Sequence, residues 1–133
     1  MYKRQIKGYE AASEAEKTQL RAMGMDIENL RLILASDNAL LKFGRENEAK
    51  FEELFVLYQK DEVAANEVVK RLHLSHAAYG DGVFELIIGG VTDNVVGFMR
   101  VENESNLPQM SPSEFIMLER LSANSKWYLF KTT

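Results

Sequence analysis

His73 and His76 are the only histidines of the chain and stand three residues apart. On a helix that spacing puts two imidazoles on one side, within reach of a shared zinc ion. A zinc site needs at least one more ligand, for which Glu67, Asp81 and Glu85 are the nearby choices, and no HExxH or comparable pattern supplies it. The competing reading is structural: imidazoles late in a helix suit the negative end of its dipole, and His76 falls on the apolar side. On this balance neither a metal nor a cofactor is expected.

Glu85 points to proton chemistry. It stands inside the apolar run Val83–Ile88. Burial there would raise its pKa and make it a proton carrier, whereas a position near a sheet edge would leave it wet or paired with Arg100. The wet or paired state is the expectation. His76, Tyr79, Glu85 and Trp127 together offer an imidazole, a phenol, a carboxyl and an indole N–H, a set suited to the opening of a small-ligand pocket.

No nucleophile stands out. The chain has no cysteine and no GxSxG elbow, and Ser13, Ser111 and Ser113 read as local backbone partners. Gly89 and Gly90 are not followed by GxxxxGK[ST] or GxGxxG and read as a turn. No catalytic residue is assigned.

These side chains must be positioned by elements that the hydrophobic pattern sketches. Ser13 and Glu16 have the form of a capping box, and Gly24 can close the helix they start, at about Glu14–Met23. Asp26 can cap a second segment through Ile27, Leu30, Ile33, Leu34 and Leu41 to Gly44. Ser36, Asp37 and Asn38 interrupt it and allow either a bend or two helices. Phe51, Leu54, Phe55 and Tyr58 form the apolar stripe of a third helix whose other sides are acidic. Asp61 caps a fourth, whose Ala65, Val68, Val69, Leu72 and His76 share a face until Gly80.

From Val83 the period changes to strand-length runs, Val83–Ile88, Val95–Val101, Phe115–Leu121 and Trp127–Thr132. Their connections are too short for crossover helices, so antiparallel pairing in a meander follows. Gly97 inside a strand marks a bulge or a close backbone approach. The expected fold is α+β, with N-terminal helices (about 10–79) packed on a C-terminal four-stranded antiparallel meander (about 83–132), in one domain over 1–133. Helices followed by a curled meander that ends in the Trp127 strand resemble in outline the cone-shaped domains of the nuclear transport factor 2 type. The likeness is limited to the last fifty residues, carries no diagnostic motif, and assigns no family.

Composition narrows the partners. Sixteen Lys and Arg against twenty Asp and Glu give a net charge of −4, which offers no general attraction to phosphate backbones. Lys3, Arg4 and Lys7 gather locally at the N-terminus, and basic and aromatic side chains are not interleaved as a single-stranded RNA platform requires. No nucleic acid is expected. The basic start is followed by Glu10, Glu14 and Glu16 where a signal peptide would be apolar. The apolar runs Leu32–Ala35 and Leu54–Tyr58 are far short of the ~20 residues of a membrane span. With no cysteine, a reducing, cytoplasmic setting is expected.

The strands carry large apolar groups on both faces: Phe84, Leu86 and Ile88 against Val83 and Ile87, Trp127 and Leu129 against Tyr128 and Phe130. A sheet with one wet face alternates instead. Helices cover one face. The other needs a second copy, another protein or a curl of the sheet around a cavity to cover it, unless the helices wrap further and the sheet is simply core. The expected function is therefore a noncatalytic intracellular interaction protein, a homodimer joined through the apolar sheet face or through the acidic third helix. The alternative is a small-ligand-binding protein or small enzyme with a cavity between helices and curled sheet.

Overall fold

The structure, a computed structural model, describes residues 26–91, 94–108 and 115–132. The helix expected at about Glu14–Met23 lies outside these residues. Helix α1 spans Ile27–Ile33, with Asp26 accepting the Asn29 N–H at 3.1 Å as its N-cap. Ser36 then caps α2, Asp37–Lys60, by accepting the Ala39 N–H. The interruption at Ser36–Asn38 is thus a junction between two helices. Gly44 does not stop the second segment. It lies buried inside α2, where a Cβ would come within 2.6 Å of Phe98 and 2.9 Å of Leu121. It is glycine because the helix meets the sheet there, and the expected third helix is the second half of the same α2.

Asp61 serves two helices: its N–H donates to Leu57 O at the end of α2, and its carboxylate caps α3, Glu62–Arg71, at the Ala64 N–H. The expectation that this helix runs to Gly80 is corrected. It ends at Leu72, and His73 takes a left-handed backbone (φ 65°) that turns the chain away. Residues His76–Gly80 are strand β1, pairing with β2, Val83–Val91. The two-residue turn Asp81–Gly82 has positive φ at both positions, as a tight hairpin with twisted strands requires, and Asn106 packs against Gly82.

Strands β3, Asn94–Val101, β4, Phe115–Arg120, and β5, Trp127–Thr132, complete an antiparallel five-stranded sheet in the order β1-β2-β3-β5-β4. The α+β class with an antiparallel sheet stands, but the four-stranded meander does not. Among the described residues there are five strands, and β5 inserts between β3 and β4. The connection from β3 to β4 is long enough to skip one strand position, and β5 fills the gap by folding back through the tight Ser122–Ser125 turn. Gly97 answers both expectations made for it. The β2–β3 register shifts between Ile87 and Gly89 beside it, and a Cβ on Gly97 would lie 2.5 Å from the Leu86 carbonyl oxygen.

The helices pack on the face formed by Phe84, Leu86, Ile88, Phe98, Trp127 and Leu129. Phe51 of α2 sits 5.1 Å from Phe98 and 5.3 Å from Trp127 between ring centroids, and Phe55 and Tyr58 both meet Phe84. The stripe read from the sequence is this core. Arg45 Nε donates to Leu121 O at 2.5 Å and locks α2 to the end of β4. Asn66 of α3 accepts the Ala77 N–H at 2.8 Å on the outer side of β1, so the helix closes part of that sheet edge. Among the described residues no helix is long and apolar enough to cross a membrane.

Candidate functional site

The alternation of side chains along paired strands decides where the four sequence candidates point. Tyr79 pairs with Phe84 and shares the helix-facing side of the sheet with Trp127. His76 and Glu85 lie on the opposite side: His76 pairs with Ile87, and Glu85 with Ala78 and Met99. The structure brings Tyr79 and Trp127 into one aromatic chain, through Phe55 and Phe84. It sets His76 near Glu85 but does not join the two pairs. A sheet separates them.

Trp127 is buried, and its indole N–H donates to Glu52 Oε1 at 2.7 Å. The same oxygen accepts Arg100 Nε at 2.6 Å. Arg100 also bonds Glu102, and its guanidinium lies 4.2 Å over the Phe55 ring. Arg100 is thus held on three sides: by Glu52, by Glu102 and by a π-face. Hydrogen bonds from Arg100 and then Lys126 hold the exposed Glu102 carboxyl down at about 2. Every strong group of this cluster is committed to a neighbour, which suits a clamp between α2 and the sheet better than a site waiting for substrate.

Glu85 does not pair with Arg100, because the adjacent strand positions Met99 and Arg100 face opposite ways and Met99 is the one beside Glu85. It is half-buried, and burial raises its pKa while the nearby His76 pulls it back. His76 itself is exposed, 3.1 Å from Ser75 Oγ. His73 has gone elsewhere and meets the Asp26 carboxylate at 3.1 Å. The two imidazoles therefore do not share a helix side, and among the described residues no three His, Asp or Glu gather as a metal would need.

The second sheet face is apolar, as the alternation implies, but its main side chains are already out of water within the single chain. Met99 is 0% and Phe130 2% exposed, and Ile87, Val101 and Tyr128 are buried with them. Partly buried Val83, Val95, Leu107 and Leu118 pack against this second core. Exposed apolar area lies elsewhere. Val56, 48% exposed, and Leu57 sit on the side of α2 opposite the core stripe, where Glu53 and Lys60 border an open groove of about 400 Å³. The sequence offers this helix as a contact surface through its acidic character but does not single out the Val56–Leu57 stripe, because Phe51, Leu54, Phe55 and Tyr58 account for its apolar residues. The available signal was Glu53, Val56, Leu57 and Lys60 at i, i+3, i+4 and i+7.

No known family model matches the chain, and neither does any curated protein or any solved structure.

Proposed function

We propose that this protein works by binding another polypeptide, without catalysis, and that the outward side of α2 is the surface it uses. The observation that carries the reading is the apolar patch of exposed Val56 and half-buried Leu57 on a helix whose opposite side already fills the core. A helix apolar on two opposite sides, one of them wet, suits packing against a further element. The committed state of the Glu52–Arg100–Trp127 cluster supports the same reading. So does the division of His76 and Glu85 from Tyr79 and Trp127 by the thickness of the sheet. The shelter of Met99 and Phe130 moves the proposed contact from the sheet face to the helix.

A photo-crosslinking side chain at position 56, compared with one at the exposed position 67 of α3, tests this in an extract from the native source. Protein adducts from position 56 and not from 67 are expected. Adducts from neither, or equally from both, would overturn the reading.

A further inference from the structure

We infer that the occupant of the α2 groove is the α2 of a second copy of this chain, lying antiparallel across a two-fold axis between Val56 and Leu57. This rests on the reading that α2 carries the interaction surface. The four residues of the stripe are ordered acid, apolar, apolar, base: Glu53, Val56, Leu57, Lys60. A two-fold axis through the middle of that order brings Glu53 of one copy to Lys60 of the other, twice, and sets Val56 against Leu57. The patch is complementary to itself. Helices running parallel would oppose Glu53 to Glu53 and Lys60 to Lys60, so charge selects the antiparallel arrangement.

Among the described residues neither Glu53 nor Lys60 has an ion-pair partner within the chain, and both are exposed. Glu52, the other acid at the groove, is already held by Arg100 and Trp127 and does not compete for Lys60. A contact of one helix stripe is small beside the ~1,600 Å² of a stable interface, so the dimer is weak and exchanges readily.

Sedimentation of the purified chain across a concentration series is the test. The wild-type chain should pass from monomer to dimer. Glu53→Lys and Lys60→Glu, each placing like charges at two symmetric contacts, should weaken the dimer roughly tenfold. An equimolar mixture of the two variants should recover wild-type affinity, because each then meets its opposite. Both positions are exposed, and unchanged circular dichroism confirms that the variants fold. A wild-type chain that stays monomeric up to ~1 mM, or a dimer indifferent to both substitutions, would overturn the inference. The broader reading fails separately, by the absence of position-56 adducts, and a monomer that still gives heterologous adducts there would overturn self-docking alone.

Discussion

Glu52 Oε1 accepts the indole N–H of Trp127 at 2.7 Å, across seventy-five residues of chain. The bond joins the middle of α2 to the first residue of β5, and Arg100 from β3 shares the same oxygen. One carboxylate therefore satisfies a buried donor and neutralises a cation that is only 10% exposed at its side chain.

Removing it should be costly. Glu52→Ala strands the indole N–H and takes one of two carboxylates from Arg100, with an expected loss of about 2 kcal/mol. Glu52→Gln keeps an acceptor oxygen for Trp127 and gives up only the charge, so it should lose about 1 kcal/mol. Urea unfolding followed by the fluorescence of Trp127, the sole tryptophan, measures both. Equal losses would mean that the charge, not the indole bond, holds the junction.

A second junction depends on one amide. Asn29 Nδ2 donates to His73 O and to Ile88 O, each at 2.7 Å, and so ties α1 to the turn after α3 and to β2. Asn29→Ala should cost about 1–2 kcal/mol. Asn29→Asp should cost more, about 3 kcal/mol, because a carboxylate has nothing to donate and would face two carbonyl oxygens. Amide hydrogen exchange across α1 should rise in the same order. An Asp variant as stable as wild type would show that the two carbonyls do not need this donor.

The sequence-level reading succeeds where one periodicity acts alone. The Phe51–Tyr58 stripe, the Asp26 and Asp61 caps and the strand at Trp127 follow from side-chain spacing and capping chemistry. It fails where two signals compete. Ala77 and Ala78 extend the helical pattern of α3, yet Asp81–Gly82 is a hairpin dipeptide that recruits His76–Gly80 into the sheet. Strand order failed for another reason: nothing local says that β5 rather than β4 lies beside β3, since that choice is made by packing between distant residues. The division of the four candidate residues between two sheet faces was hidden with β1, because a helical His76 and a strand His76 point to different neighbours. Glu85 misses Arg100 because of the register shift between Ile87 and Gly89. Continued regularly from Gly90 and Val95, the hairpin would set Glu85 opposite Arg100, and the irregularity brings Met99 there instead, which alternation within one strand does not reveal.

Gly44 shows the same competition in energetic form. By helix propensity Gly44→Ala should stabilise α2 by about 1 kcal/mol. The new methyl, however, would sit 2.6 Å from Phe98 Cε1 and 2.9 Å from Leu121 Cδ2, and Phe98 is itself wedged against Phe51 and Phe43. Overpacking of a filled core costs about 1–3 kcal/mol. The net effect should be destabilising, with a lower urea midpoint and an unchanged slope. A stabilised Ala variant would mean that α2 can lift from the sheet at little cost.

Glu85 turns burial into a pH dependence. Burial raises its pKa above the ordinary 4.5, and His76 only partly opposes this. The folded chain therefore holds the Glu85 proton more tightly than the unfolded chain does. The stability that the protonated group contributes is complete below pH 4.5 and is lost as pH rises through the raised folded value. Glu85→Gln imitates the protonated carboxyl at every pH. Its melting temperature should match wild type at pH values below 4.5 and exceed it at neutral pH, the gap opening as the carboxyl ionises. The neighbours across the strands, Ala78 and Met99, offer no countercharge, which leaves His76 as the charge that tempers the penalty. If wild type were the more stable chain at neutral pH, ionised Glu85 would have to be gaining more from His76 than it loses by leaving water.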